Sequence, residues 1–275
     1  MKIIAIVQAR LGSTRLPNKV MKPVGADMPM IKLLLSRLIK SKKIDQVILA
    51  TSDESTNQPL VDYVRKLGYI VYQGSENDVL DRYYKASLEY NPDVIVRITG
   101  DCPLVDPEVV DSVIEAYRSM DVDYVSNTNP PTYPDGLDVE VFSTSSLKIA
   151  WKEAKLRSER EHVTSYIRES GKFKISNVVN NKNYSDERWT VDEPEDYELI
   201  QSIFSHFAPR IDFSWREVLK FSKEQPIIFS VNRHLVRNDG LKMGTGQKLW
   251  KRANKVIPDG NMLLSKRPEM FLPDK

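Results

Sequence analysis

Cysteine is almost absent from this sequence of 275 residues, since Cys102 is the only one. A single cysteine excludes an internal disulfide framework and is typical of proteins that fold in a reducing compartment. No histidine or asparagine motif accompanies Cys102 in a way that would favour a nucleophilic thiol. We therefore expect Cys102 to be a small packed side chain and the protein to be cytoplasmic.

An excess of charge is also absent, because 40 lysine and arginine residues against 38 aspartate and glutamate residues leave a net charge of +2. Nucleic-acid binding is therefore not expected, and any electrostatic function must come from local clusters. No window approaches the roughly 18 to 20 apolar residues that cross a bilayer, so no membrane association is expected. The N-terminal run "IIAIV" is too short for a secretion signal and predicts a first strand.

What the first half does contain is a regular alternation of short β-branched runs and longer amphipathic runs, such as "KIIAIV", "PMIKLLLSRLIKSK", "QVILAT" and "NQPLVDYVRKLG". This alternation is typical of βαβ units around a parallel sheet. The strands are nearly continuous hydrophobic runs, as expected when helices cover both faces. The sequence predicts an α/β fold of Rossmann-like type, with three layers (α/β/α) and a mainly parallel central sheet.

The second half is less regular. The segment "TNPPTYPDG" is dense in turn formers and predicts a loop, whereas "LDVEVF" alternates like a strand. Ser143 is a credible N-cap for the helical stretch "TSSLKIAWKEAK", and "SEREHVTSYIRES" predicts a further helix. From about Ser230 the sequence becomes polar, so we expect a principal domain over residues 1–230 and a linker with the beginning of another domain over residues 231–275.

The stretch "QARLGSTRLPNK" directly follows the first predicted strand. Ligands of parallel α/β sheets bind beyond the carboxyl ends of the strands, so this loop is a prime location for a site. Gly12, Ser13 and Thr14 can present backbone amides to an anion, while Arg10, Arg15 and Lys19 add positive charge. The spacing matches neither a P-loop nor a dinucleotide fingerprint, so a polyphosphate site and an ordinary basic surface loop both remain open.

Two aspartates follow other predicted strands. Asp101 lies in "RITGDCPL" and Asp192 lies in "RWTVDEPED". Magnesium prefers one or two carboxylates with phosphates and water, so two aspartates that meet at the sheet edge would hold this ion against a triphosphate. Each aspartate also has an ordinary alternative, since Asp101 could cap the next turn and Asp192 could cap the helix that starts at Pro194.

These segments resemble the cytidylyltransferases that activate 3-deoxy-ulosonic and sialic acids. The first loop is similar to their A-R-x-x-S-x-R-L-P-x-K pattern, "GDCPL" resembles their magnesium motif, and "VDEPED" resembles their late acidic motif. The blocks "ENDVLDRYY", "PDGLDVEVF" and "EREHVT" are similar to the spore-coat polysaccharide biosynthesis protein F-like subgroup. The resemblance covers about residues 1–230.

The resemblance implies a magnesium-dependent enzyme that uses CTP and a small acceptor molecule. It implies that Arg15, Lys19 and Asp101 are catalytic and that Asp101 and Asp192 bind Mg²⁺. It also implies that Arg10, Ser13, Arg15 and Lys19 bind the triphosphate. The full set of predicted nucleotide-binding residues is Arg10, Leu11, Gly12, Ser13, Arg15, Lys19, Arg82, Thr99, Gly100 and Asp101. For Arg82, an exposed position on a helix surface is an equal alternative.

Polar residues after the proline-rich loop are candidates for acceptor binding. They are Asp135, Asp138, Glu140, Glu161 and His162. In a strand, Asp138 and Glu140 would share one face. The arginines near His162 favour an acidic or phosphorylated acceptor, although a solvated helix face is nearly as good an interpretation of the same residues.

The last thirty residues, "GQKLWKRANKVIPDGNMLLSKRPEMFLPDK", resemble the opening of class III aminotransferases of the glutamate-1-semialdehyde type. This resemblance implies a bifunctional enzyme, and the cytidylyltransferase resemblance implies a homodimer. Three functions compete: a cytidylyltransferase acting on a sugar, polyol or ulosonic acid; another nucleotide-sugar enzyme, such as a GTP- or UTP-using nucleotidyltransferase or a glycosyltransferase; and a non-catalytic module of a fused aminotransferase.

Overall fold

Nine strands lie within residues 1–25 and 27–237, the part of the chain that the computed structural model describes. They are β1 (Ile3–Gln8), β2 (Pro23–Val24), β3 (Met28–Pro29), β4 (Gln46–Ser52), β5 (Ile70–Gly74), β6 (Val94–Thr99), β7 (Tyr124–Ser126), β8 (Glu140–Ser143) and β9 (Ile175–Asn177). Seven of them form the central sheet in the order β5-β4-β1-β6-β8-β7-β9, and β2 pairs with β3 in a small ribbon.

Helices connect these strands and cover the sheet. The α-helices are α1 (Met30–Leu38), α2 (Gln58–Lys66), α3 (Val79–Tyr90), α4 (Pro107–Ser119), α5 (Thr144–Glu153), α6 (Arg157–Glu161), α7 (Ser165–Glu169), α8 (Pro194–Phe207) and α9 (Trp215–Glu224). Short 3-10 helices cover Lys19–Met21, Ser55–Asn57 and Ile228–Ser230. None of the helices in residues 1–25 and 27–237 has the length and apolar character needed to cross a bilayer.

The central sheet is mainly parallel, as predicted. Strands β5, β4, β1 and β6 pair in parallel, whereas β8 runs antiparallel to both β6 and β7. The chain passes from β1 to β4 and β5 on one side and then returns to β6 on the other side of β1. Strands β1 and β6 therefore flank the point where the strand order reverses, which is where open α/β sheets bind their ligands.

Two hydrophobic cores lie on opposite faces of the sheet. On β1, Ile3, Ala5 and Val7 pack into the core that includes α1, α2, α4, α8 and α9. Ile4 and Ile6 pack into the other core, with side chains from α3, α5 and α7. The alternation places successive side chains on opposite faces, so a run that is apolar throughout is buried on both. The predicted three-layer α/β/α architecture is confirmed.

Two details of the helices differ from the prediction. The run "SEREHVTSYIRES" forms two short helices, because the chain turns at His162–Thr164 and Val163 has a φ of 56°. Helix α9 was not predicted, although Ser214 and Glu217 form a capping box at its start.

The predicted aminotransferase-like tail lies outside the described residues. The chain divides after Arg233, and the assignment of residues 231–275 to another domain stays a prediction.

The predicted N-cap of α5 is confirmed, because Ser143 Oγ accepts a hydrogen bond from the Ser146 amide at 2.9 Å. Replacing Ser143 with alanine leaves that amide without its partner and is expected to lower the free energy of unfolding by about 1 kcal/mol. Urea denaturation followed by circular dichroism measures this change. Ser158→Ala is the matched control, since Ser158 is exposed in α6 and is not an N-cap; equal losses in both variants would contradict the capping role.

Candidate active site

The carboxyl ends of β1 and β6 approach each other closely. The Gly100 amide donates to the Gln8 carbonyl at 2.7 Å. A Cβ on Gly100 would lie 2.6 Å from Ala9 Cβ and 2.9 Å from the Gln8 oxygen, so no larger residue fits without a shift of the backbone. Gly100 thus brings Asp101 next to the loop that leaves β1.

That loop is ordered by its own backbone and by one remote side chain. The Leu11 amide donates to Asn57 Oδ1 at 2.8 Å, and the Leu11 carbonyl accepts from the amides of Ser13 at 2.8 Å and Asn18 at 3.2 Å. Ser13 Oγ accepts from the Leu16 amide at 3.3 Å. Leu11 and Ser13 thus shape the turn, while Gly12 lies exposed at its surface. No sequence signal identified Asn57 as a support of this loop.

Lys19 lies at the centre of the site and joins both predicted metal ligands. Its Nζ lies 2.9 Å from Asp192 Oδ1 and 3.4 Å from Asp101 Oδ2, and it donates to the Val191 carbonyl at 2.7 Å. The structure therefore brings Asp101 and Asp192 together around one ammonium group, although they are far apart in sequence.

The charges of this cluster reinforce one another. Burial by itself would lower the pKa of Lys19, but Asp101 and Asp192 outweigh this effect and raise it above its ordinary value. Burial by itself would raise the pKa of Asp101. The Lys19 ammonium outweighs the effect of burial, so the pKa of Asp101 lies below its usual value. Lys19 and Asp101 are consequently both charged near neutral pH.

The two arginines of the loop are paired with carboxylates. Arg15 contacts Asp192 at 3.1 Å and Glu193 at 3.0 Å. Arg10 forms an ion pair with Glu76, which follows β5. Both arginines remain about half exposed, so these pairs hold them at the surface of the site where an anionic ligand can reach them.

Asp192 reaches the site by a route that differs from the prediction. The preceding segment is not a strand; instead the Val191 amide donates to the Asp101 carbonyl at 2.8 Å and ties the two aspartates together. The capping alternative for Asp192 is wrong, because the N-cap of α8 is Glu193. Asp196 Oδ2 accepts from the amides of Asp192 and Glu193 at 3.0 Å each. The helix that follows Asp101, α4, is capped by Asp106, and the alternative that Asp101 caps the turn next to it stays a prediction.

Arg188 and Asp196 hold the backbone and side chain of Asp192 in place. Arg188 donates two hydrogen bonds to Asp196, at 2.9 and 2.8 Å, and Asn232 donates to the same carboxylate at 2.8 Å. Arg188 also lies 3.6 Å from Asp192. The motif "VDEPED" contained Asp196, but its position three residues into the helix gave no sign of the partner Arg188.

The Asp196 carboxylate is expected to make stability depend on pH. Burial would raise its pKa, but the hydrogen bonds from Arg188 and the backbone outweigh burial and hold it below its usual value. Its contribution is therefore complete above the pKa of an aspartate in the unfolded chain, about 3.9. It is lost as the pH falls through the lower pKa of the folded state. Asp196→Asn should lower the free energy of unfolding by about 2 kcal/mol at pH 7.

The measurement is urea denaturation of both proteins between pH 7 and pH 2. The difference between wild type and Asp196→Asn should shrink at the acid end. A difference that stays constant down to pH 2 would show that the charge of Asp196 does not carry the effect.

Arg82 and Thr99, two further predicted nucleotide contacts, contact other groups of the protein. Arg82 is 1% exposed, and its guanidinium donates to the carbonyls of Ser75 at 3.1 Å, Ala50 at 3.4 Å and Glu76 at 3.5 Å. The exposed-surface alternative is therefore wrong, and Arg82 fixes the loop that carries Glu76. Thr99 Oγ1 lies 3.3 Å from the Sγ of Cys102, which is buried as expected.

Two predicted acceptor contacts are buried and bonded within the protein. Asp135, 7% exposed, forms an ion pair with Arg188 at 3.2 Å. Glu140, also 7% exposed, pairs with Arg97. The predicted strand begins only at Glu140, so Asp138 lies outside β8 and the condition for a shared strand face is not met. The structure thus places the carboxylates of Asp135 and Glu140 beneath the surface of the site and not on it.

The last two acceptor candidates lie at the turn between α6 and α7. Glu161 ends α6 and is exposed, and the partly exposed His162 follows it. Val163 is fully buried with a φ of 56°, a conformation that is rare for a β-branched residue. Strained backbone of this kind is typical of functional sites, and sequence patterns gave no sign of it.

Magnesium fits the donors that the site provides. Among residues 1–25 and 27–237, no group of three or more His, Cys, Asp or Glu side chains could hold a metal ion by itself. Asp101 and Asp192 place two carboxylates next to the same Lys19 ammonium group. Phosphate oxygens and water would fill the remaining positions of a magnesium shell. A donor set of this kind would bind the ion only together with the oxygens of a triphosphate.

Comparison with known proteins places this arrangement in one family. Residues 4–225 match the cytidylyltransferase family. The chain is 42% identical over 238 residues to an uncharacterized protein of Methanocaldococcus jannaschii, with 86% of this chain and 96% of the relative covered. It is 35% identical over 232 residues to the spore coat polysaccharide biosynthesis protein SpsF of Bacillus subtilis, with 82% and 95% covered.

A solved structure shows the same fold. The structure of a cytidylyltransferase from Leptospira borgpetersenii is similar with a TM-score of 0.79 and 34% identity, and the match covers 83% of this chain and 97% of that one. The basic loop after β1, the two converging aspartates and these matches agree with one another. The chain belongs to the cytidylyltransferase family and is a CTP-dependent nucleotidyltransferase.

Proposed function

We propose that the protein transfers CMP from CTP to a phosphorylated sugar or (amino)polyol, with release of pyrophosphate, and that it uses Mg²⁺ held by Asp101 and Asp192. The observation that carries this proposal is the convergence of both aspartates on Lys19 beside the basic loop. The relative SpsF is named for spore coat polysaccharide biosynthesis, which supports a role in making a cell-surface polysaccharide.

In this reaction an acceptor oxygen attacks the α-phosphorus of CTP, the bond from that phosphorus to the bridging oxygen breaks, and pyrophosphate leaves. Lys19 and Arg15 stabilise the charge that develops on the pyrophosphate, and the backbone of the loop after β1 orients the triphosphate. Magnesium, when bound, neutralises charge on the phosphate oxygens and polarises the phosphorus. Asp101 and Asp192 hold that charge in place at the sheet edge.

The lowered pKa values of two carboxylates, Glu140 and Asp101, favour an acceptor that is already anionic. A sugar hydroxyl needs a general base whose pKa lies near the working pH. Glu140 is held below its ordinary pKa, since Arg97 outweighs the effect of burial, and Asp101 is shifted in the same direction. A phosphate oxygen carries negative charge at neutral pH and needs no such base, which supports a phosphate acceptor over an ulosonic acid.

Arg160, which lies close to His162 in the sequence, is bonded within the protein. Its guanidinium donates to both carboxylate oxygens of Asp78 and to the Trp151 carbonyl. Its positive charge therefore anchors α6 to the start of α3. The lowered pKa values of Glu140 and Asp101, and not this arginine, support a phosphate acceptor.

Pyrophosphate release with each of the four NTPs tests the proposal, against a panel of sugar phosphates, polyol phosphates and ulosonic acids. We expect release with CTP and a phosphorylated acceptor. Release only with an ulosonic acid would replace the proposed acceptor class. Preference for GTP or UTP would contradict the base assignment, and no release with any acceptor would favour a non-catalytic role.

A further inference from the structure

Gln8 is the last residue of β1, and a hydrogen bond from Arg97 fixes the orientation of its side-chain amide. Arg97 on β6 donates from Nη2 to Gln8 Oε1 at 3.3 Å. A guanidinium group has only hydrogen-bond donors, so the oxygen of the Gln8 amide must face Arg97. The NH₂ group of Gln8 therefore faces away from Arg97 and presents two N–H donors.

Arg97 is itself held in place. It forms a buried ion pair with Glu140, and both side chains are mostly inaccessible. The other oxygen of Glu140 accepts from Tyr124 Oη and Thr164 Oγ1, each at 2.6 Å. Because breaking a buried pair leaves an uncompensated charge, Arg97 cannot turn away without a large cost. The network thus prevents the Gln8 amide from flipping.

Gln8 occupies a position where a substrate can meet it. It is partly exposed at the carboxyl end of β1, paired in the sheet with Ala50 of β4 and Thr99 of β6, at the point where the strand order reverses. Arg97 takes the amide oxygen from the β6 side, so the NH₂ group is turned away from β6. On that other side of β1 lie β4 and β5, and Glu76, which follows β5 in the chain, forms an ion pair with Arg10.

We propose that Gln8 binds the pyrimidine ring of CTP and that Arg97 and Glu140 are positioning residues that hold its donors toward the base. Cytosine presents two adjacent acceptors, O2 and N3, whereas uracil carries a hydrogen on N3. A locked N–H donor therefore matches cytosine and opposes uracil. The proposal rests on the use of CTP and is independent of the metal and of the acceptor.

Isothermal titration of the full chain with CTP and with UTP tests this contact without an acceptor. Gln8→Leu removes the donors, and Gln8→Glu keeps an acceptor for Arg97 but also removes the donors. Both variants are expected to bind CTP about tenfold more weakly, which corresponds to one lost hydrogen bond, and to discriminate less between CTP and UTP. Gln8→Glu should keep the melting temperature of the wild type.

The matched controls are Gln201→Leu and Gln201→Glu, since Gln201 lies exposed on α8. They should bind CTP like the wild type. Wild-type CTP affinity in Gln8→Glu or Gln8→Leu would overturn the proposal. Equal losses for CTP and UTP would show that Gln8 does not contact the base, and a lower melting temperature in both Gln8 variants would indicate a purely structural role.

The positioning role has a separate readout. A double variant, Arg97→Met with Glu140→Leu, replaces the buried pair by apolar side chains and releases the Gln8 oxygen. The amide can then flip and accept from the N3 hydrogen of uracil, so the affinity for UTP should rise while that for CTP falls. An unchanged ratio of CTP to UTP affinity in a folded double variant would overturn the role of the pair.

Discussion

Asp101→Ala is expected to lower the rate of pyrophosphate release from CTP at least about 1,000-fold, equivalent to about 4 kcal/mol of transition-state stabilisation. The Asp101 carboxylate lies 3.4 Å from Lys19 Nζ and shares that ammonium with Asp192. Removing it takes away one of the two carboxylates proposed to hold magnesium and leaves Lys19 with a single side-chain partner. Initial rates measured over a range of Mg²⁺ concentrations check this result.

The fold should survive this change. The tie between the two aspartates runs through the Asp101 carbonyl, which alanine also provides. Asp62→Ala is the control, because Asp62 is exposed on α2 and bonds only to Gln58 among the hydrogen bonds of the described chain. Turnover like that of the wild type in Asp101→Ala would remove the proposed metal role.

Lys19→Met is expected to lower kcat/KM for CTP. The loss of transition-state stabilisation should be about 2 to 4 kcal/mol, as for other groups that stabilise developing charge. A second effect has the opposite sign. Because Lys19 Nζ lies between Asp101 and Asp192, its removal leaves two carboxylates without that ammonium, and the nucleotide-free protein should bind Mg²⁺ more tightly than the wild type.

Kinetics with CTP and titration of the nucleotide-free protein with MgCl₂ measure the two effects. Lys22→Met is the matched control, since Lys22 is three residues away and lies over the Tyr197 ring. A change confined to the KM of the acceptor would place Lys19 in a different subsite. Unchanged Mg²⁺ affinity would show that the lysine does not compete for the carboxylates.

The sequence predicted the fold class because the relevant signal is local. An apolar run such as Ile3–Gln8 is buried on both faces, and the amphipathic runs that follow must cover it. The antiparallel direction of β8 could not be predicted from the sequence. A short strand has the same alternation of polar and apolar residues whether it runs parallel or antiparallel to its neighbours. Strand direction depends on which neighbours the chain reaches.

The roles of charged residues were harder to predict than their types. Arg82 and Glu140 are charged residues in blocks that resemble a family motif, yet both are buried and bonded within the protein. Whether a charge is a ligand contact or an internal support depends on its partners, and these lie far away in sequence. Arg97 and Glu140, for example, are 43 positions apart.

By itself, the sequence determined that an α/β sheet carries a basic loop at the end of its first strand and aspartates at later turns. Only the tertiary structure decided that Lys19 joins Asp101 to Asp192, that Asp196 holds the second aspartate in place, and that Arg97 fixes the Gln8 amide. The physical reason is that the spacing of apolar residues along the chain indicates only which side chains are buried. Electrostatic partnership instead depends on distances across the folded sheet, which no local pattern contains.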